Sequence, residues 1–176
     1  MTAYREVPWR LVFVSAVERK KFNVLIADDN QSDVFIITRG LAQFDAQCNV
    51  FDVQDGESLL TALGIDPVSG RPIAPQPIIP RPDLILIDLF MPKLYGLQAL
   101  KMIKRDRRYQ RTPCLLMSHS LSEHDRRQAG VIGACGILHK TDNPSNFRAA
   151  IRDLETVLSG GAKPRQTEPG DSRILR

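Results

Sequence analysis

Five polar side chains stand at or just past the ends of short apolar runs, and their types make a chemically coherent set. Asp28 and Asp29 follow "NVLIA", Asp88 follows "LILI", Ser118 follows "CLLM" and Lys140 follows "GILH". Each has a plain structural explanation when taken alone. An Asp at a strand end often caps the next helix, a Ser closes a turn, and a Lys reaches into solvent. Taken together they are three carboxylates, a hydroxyl and an ammonium. Carboxylates packed at one place repel unless a cation sits among them. A hard cation such as Mg²⁺ suits the set, because it takes oxygen ligands, keeps several waters and is commonly held by one or two carboxylates plus a phosphate oxygen. A further carboxylate facing such an ion can be the nucleophile of phosphoryl transfer, where positioning and charge neutralisation supply most of the catalysis. Lys140 would then balance the phosphoryl charge, and Ser118 would donate a hydrogen bond to one of its oxygens.

These groups converge only if the runs before them are neighbouring parallel strands. Apolar runs predict strands at Asn23–Asp29, Cys48–Val53, Asp83–Asp88, Pro113–Ser118 and Gly136–Lys140. Between them, steps of three and four mark helices: Val34, Ile37, Leu41 and Phe44 form one stripe, and further helices are predicted at 55–63, 96–103 and 121–130. The helix at 121–130 has a thin apolar stripe. A last helix follows Asn143 as cap and Pro144 in its first turn, with Phe147, Ala150, Ile151, Leu154 and Leu158 on one face. The order is strand then helix, five times. Strands apolar along their whole length are buried on both faces, so the expected class is α/β: a five-stranded parallel sheet with helices on both faces. Ligands of such sheets gather beyond the carboxyl ends of the strands, where strand order reverses.

The domain division that follows is an N-terminal extension at 1–21, a folded domain at 22–158 and a flexible C-terminal tail at 159–176. An insertion at 64–82 holds six of the chain's twelve prolines. Prolines at that density exclude a helix or a central strand and predict a stiff, partly polyproline-like surface excursion, either a spacer or a ligand for a proline-recognising domain. The run "WRLVFVSAV" is short, lacks a cleavage site and is followed by "ERKK", so it reads as an amphipathic or strand-like arm rather than a secretion signal.

The chain has 176 residues, 43% apolar and 25% charged, with no apolar run approaching the ~18 residues of a membrane span. Its net charge of +4 sits at the ends: residues 1–21 carry +3 and 159–176 carry +2, leaving −1 between them. Neither a nucleic-acid nor a membrane partner is expected from the central domain. Cys48, Cys114 and Cys135 are odd in number and unclustered, which predicts buried free thiols in a reducing cytoplasm. The basic run Lys101–Arg111 reads either as a docking patch for an acidic partner or as a solvated helix end beside its negative pole.

The acidic pair Asp28-Asp29, "DLFMPKLYG" from Asp88, Ser118 thirty residues later and Lys140 after "GILH" together resemble the receiver domain of two-component response regulators. The resemblance runs from about Phe22 to Leu158 and implies the flavodoxin-like (βα)5 receiver fold. It implies that Asp88 is the phosphoacceptor and that Asp28, Asp29 and Asp88, with the backbone carbonyl of Phe90, hold Mg²⁺ or Mn²⁺. It makes Ser118 the switch hydroxyl and Lys140 the phosphate-binding lysine. It implies a sensor histidine kinase or phosphotransfer protein as phosphodonor, and a downstream protein target read through the fourth and fifth helices and fifth strand, with homodimerisation on that face open. Only eighteen residues follow Leu158, so output is expected to come from a partner or from onward transfer in a relay. The chain is then a self-phosphorylating acceptor with at most autophosphatase activity, not an enzyme.

Several letters depart from the family pattern. Tyr95 stands where Asp is frequent, His119 where a small residue is usual, Ile137 where an aromatic switch residue often lies, and Thr141 where a proline usually follows the lysine. Phe90 has no polar atom to orient a hydrolytic water, which implies a long-lived phosphoryl group. The long connection before Asp83, with "TPCLLMS", is similar to stand-alone regulators of phytochrome-type light sensors. Two other functional classes fit parts of the sequence. One is a phosphorylation-independent binding module on the same fold, favoured by His119, Ile137 and Thr141. The other is a haloacid-dehalogenase-like phosphatase, opposed by Phe90 at the place of its general-acid Asp.

Overall fold

The computed structural model describes residues 21–42, 47–73 and 77–140. Among these residues nine elements alternate between strand and helix: β1 (Phe22–Ala27), α1 (Gln31–Leu41), β2 (Cys48–Val53), α2 (Gly56–Ala62), β3 (Leu84–Asp88), α3 (Gly96–Arg105), β4 (Cys114–Ser118), α4 (Glu123–Ile132) and β5 (Gly136–His139). All strand pairs are parallel, in the order β2-β1-β3-β4-β5. The sequence order therefore reverses between β1 and β3, which puts a crevice at their carboxyl ends. The arm before Lys21, Thr141, the helix expected after Asn143 and the tail lie outside the described residues, as does Phe44. Among the described residues no helix is long and apolar enough to cross a membrane.

Alternation along the strands builds two cores. Val24, Ile26, Leu84, Leu86, Leu115, Met117 and Leu138 pack on one face with Val34, Ile37 and Leu41 of α1. Leu25, Ala27, Ile85, Ile87, Cys114 and Leu116 pack on the other with α2, α3 and Ala129 of α4. The side-chain period of two makes this division compulsory once one face is assigned. Ala129 is the single buried residue of α4, in keeping with its thin stripe. No disulfide joins the three cysteines; Cys114 is buried and burial pushes its thiol up to about 12, while Cys48 and Cys135 are half-buried.

Two close approaches shape the loop after β3. A Cβ at Gly96 would collide with the Asp88 carbonyl oxygen and lie 2.9 Å from Leu89 Cα, so only glycine lets α3 begin against the strand end. Lys93 takes φ +65°, an unfavourable backbone for a long side chain. Its Nζ reaches Asp55 at 2.7 Å, and Asp55 also caps α2 through Ser58 N at 2.7 Å. The loop is thus tied to the neighbouring loop by charge as well as by fit.

The proline-rich insertion departs from the polyproline expectation. Polyproline helix has no internal hydrogen bonds, yet this segment is bonded to itself and to α2. Ile65 is fully buried and bridges Pro72 in antiparallel sense. Asp66 accepts from Ser69 N at 2.6 Å, Gly70 turns with φ +67°, and Ile78 N reaches the Ala62 carbonyl at 3.1 Å. The segment folds back on itself and on α2 instead of stretching away from the domain. Two of the six bases in the basic run are likewise engaged internally: Arg108 forks onto Asp106 at 2.6 Å and bonds the Gly64 carbonyl at 2.8 Å, while Lys104 caps the Thr112 carbonyl at 2.6 Å.

Candidate functional site

The site begins with strand parity. Asp28 continues the face of Val24 and Ile26, Asp88 that of Leu84 and Leu86, and Lys140 that of Leu138. Since Ala27 pairs with Ile87, Asp28 and Asp88 leave adjacent strands side by side. Asp28, Asp88, Ser118 and Lys140 are buried, and Asp29 is exposed. One oxygen from each of Asp28, Asp29 and Asp88 lies within 4.8 Å of the others. Lys140 Nζ stands 2.7 Å from Asp28 Oδ2 and 3.0 Å from Asp88 Oδ1.

Asn30, not Asp28, caps α1, accepting from Ser32 N at 3.0 Å. Asp28 uses Oδ1 to hold Asn30 N at 3.0 Å and turns Oδ2 into the crevice. That oxygen and Asp33 Oδ2 are buried without an aligned hydrogen bond; both face the Lys140 ammonium. Burial pushes the Asp28 and Asp88 carboxyls above their ordinary value, although Lys140 pulls each the other way. For Lys140, desolvation opposes the charge, and the bonds to Asp28 and Asp88 outweigh it, so its value is raised. Four carboxylates, those of Asp28, Asp29, Asp33 and Asp88, thus stand around a single ammonium. Oxygen donors only, partial burial and an excess of negative charge fit a divalent hard cation.

The other expected residues are placed differently. Ser118 pairs with His139 in the sheet, but its hydroxyl donates to the Ser120 carbonyl and accepts from Ser120 N at 3.2 Å, turned to its own loop. Phe90 is 58% exposed and meets the Tyr95 ring edge-on at 5.6 Å. Tyr95 starts α3 without a side-chain cap; burial and the nearby Asp125 carboxylate hold its phenol up. Ile137 is half-buried against the α2–α4 core. His119, with its side chain 57% exposed, points Nε2 at Asp33 Oδ2, 3.7 Å away, rather than at Asp88.

Asp33 is the member that sequence reasoning missed. Its Oδ2 lies 3.1 Å from Lys140 Nζ. A first-turn acid reads as a partner for the helix dipole, which hides any second role. The available signal is topological, since the first turn of a helix after β1 borders the same crevice.

Comparison with known proteins bears on the family and the fold. The family model of the response regulator receiver domain matches residues 24–152. The probable methanogenesis regulatory protein FilR2 of Methanothrix harundinacea (strain 6Ac) is 28% identical over 108 residues, covering 61% of this chain and 64% of that protein, so less than two thirds of that relative is spanned. The phosphorylated cyanobacterial phytochrome response regulator RcpA superposes with a TM-score of 0.70 at 26% identity, over 83% of this chain and 100% of the other. The response regulator RPA3017 in red light signaling of R. palustris gives 0.65 at 28% identity, over 82% and 99%.

Proposed function

This chain belongs to the response regulator receiver domain family, and from that premise we propose that it is a phosphorylation-controlled switch whose acceptor is Asp88. The observation that carries this reading is the Asp88 carboxylate at the crevice, 3.0 Å from the Lys140 ammonium and clustered with Asp28 and Asp29. An Asp88 oxygen attacks the phosphorus of a phosphohistidine on a sensor histidine kinase or phosphotransfer protein. The new O–P bond forms as the N–P bond breaks, and the imidazole leaves with the electron pair and takes up a proton. Lys140 offers its positive charge to the transferred group. Asp28, Asp29, Asp88 and the Phe90 carbonyl would hold Mg²⁺ or Mn²⁺, which supplies charge neutralisation for the phosphoryl oxygens. Ser118 would leave Ser120 and turn to the phosphoryl group, and that rotation would move the loop before α4. The loosely packed α4 then suits a surface read by a downstream protein or a second copy. The likeness to RcpA and to RPA3017 supports a place in light signalling.

Incubation with acetyl phosphate and Mg²⁺, followed by intact-protein mass spectrometry, should show a gain of one phosphoryl group that a chelator prevents. No gain at saturating donor would turn the reading to a phosphorylation-independent binding module. Donor turnover well beyond one equivalent would turn it to an enzyme.

Phe90 sets a second expectation. Its exposed ring, braced by Tyr95, stands two residues from the acceptor and offers water no hydrogen bond. Phe90→Asn should lose the phosphoryl group several-fold faster than the parent once donor is removed. Equal or slower loss would count against a water-excluding role.

A further inference from the structure

Three N–H donors are all that a lysine ammonium has, and in this chain three carboxylates face them. Lys140 Nζ meets Asp28 Oδ2 at 2.7 Å, Asp88 Oδ1 at 3.0 Å and Asp33 Oδ2 at 3.1 Å. The side chain of Asp33 is 17% exposed, and its Oδ2 is buried without an aligned hydrogen bond. His119 flanks the same oxygen from the solvent side. Asp33 comes from α1, so it is brought to Lys140 by packing and belongs to neither strand that carries the acids of the cluster.

A phosphoryl group on Asp88 needs the donors that Asp33 and Asp28 now occupy. A cation in the crevice draws on Asp28, leaving Asp33 as the carboxylate that competes for Lys140. Asp33 also adds negative charge at close range, which attracts a cation and repels an anionic phosphodonor. We propose that Asp33 is a positioning residue that shares the Lys140 ammonium with Asp28 and Asp88, strengthening cation binding while holding Lys140 back from the phosphoryl group. This role rests on the phosphoacceptor reading of Asp88 for its second half only. The cation half stands on the carboxylate geometry alone.

The two halves move in opposite directions, which a merely structural residue would not do. In the full-length chain, Mn²⁺ binding followed by electron paramagnetic resonance should weaken about tenfold in Asp33→Asn, the order expected for one charge lost near a partly screened ion. At saturating Mg²⁺, acetyl phosphate should phosphorylate Asp33→Asn several-fold faster than the parent. Asp33→Glu, which keeps the charge, should return both values toward the parent. Unchanged Mn²⁺ affinity in Asp33→Asn overturns the proposal, and so does an equal or slower phosphorylation rate at saturating metal. If the parent itself gains no phosphoryl group, the phosphoacceptor reading fails. The Mn²⁺ titration and the side-chain ¹⁵N resonance of Lys140 then still decide Asp33, and a resonance unmoved by the substitution overturns its hold on Lys140.

Discussion

Asp88→Asn should gain no phosphoryl group from acetyl phosphate and should melt higher than the parent in the absence of metal. The first effect follows from chemistry: an amide of the same shape has no nucleophilic oxygen to offer. The second follows from where the carboxylate sits. Asp88 is buried, and its carboxyl is held above the ordinary value first by desolvation, against the pull of Lys140, with Asp28 and Asp29 adding to the rise. A group raised in the folded state contributes stability below its unfolded value and loses that contribution as the pH climbs through the folded value. At neutral pH the ionised Asp88 is therefore a cost, and a neutral amide removes it. Lys140 keeps Asp28 and Asp33 as partners in the variant. A relief of about 1 kcal/mol would raise Tm by roughly 2–4 °C in a chain of this size. Mass spectrometry and a thermal melt in chelator check the two halves. Undiminished phosphorylation would place the acceptor elsewhere, and a lowered Tm would sink the electrostatic account.

Lys140→Met should act with the opposite sign. Methionine matches the length of the lysine stem, but it leaves Asp28, Asp33 and Asp88 facing one another without a counter-charge. Removing one partner of a buried ion pair costs about 3–5 kcal/mol, because the remaining charge has lost its solvent and gained nothing. Protons taken up by the carboxyls, already held high by burial, offset part of this. Mg²⁺ should offset more, so the stabilisation on adding metal should be larger in the variant than in the parent. Phosphorylation by acetyl phosphate at saturating Mg²⁺ should fall about 100-fold, the scale seen when one preorganised charge-stabilising donor is deleted. The decisive measurement is the pair of melts with and without Mg²⁺. Equal stability in chelator, or no extra metal stabilisation, would show that Lys140 does not neutralise this cluster.

The opposite signs of these substitutions show how the site is built. Two acids and a base leave their strands on the parity of the α1-side core, and a further acid arrives from α1 itself. The fold carries this excess of buried negative charge as a standing cost, which a bound cation would relieve.

Much of this was legible beforehand because it depends on local pattern. "VLIA", "LILI" and "CLLM" are apolar without a break, as in strands of a sheet covered on both faces. The acids, the hydroxyl and the lysine that end such runs must then share one edge. Helix bounds shifted by a residue or two, as at α3, which continues to Arg105 where the expected stripe ended at Ile103. The proline-rich stretch misled for a definite reason: proline density reports which hydrogen bonds are lost, while Ile65, Asp66 and Gly70 supply the turn that holds the segment to α2.

The sequence by itself determined the parallel α/β architecture and which side chains stand at the strand ends, since periods of two and near four are properties of neighbouring residues. Only the tertiary structure decided how those side chains share their partners. Lys140 is divided among three carboxylates, Ser118 is turned to Ser120, and His119 faces Asp33. These pairings join elements distant along the chain, and their distances follow from strand register and from the seat of α1 on the sheet. No local pattern encodes either quantity: topology brings the first turn of α1 to the crevice, and only the folded register puts the Asp33 carboxylate on Lys140.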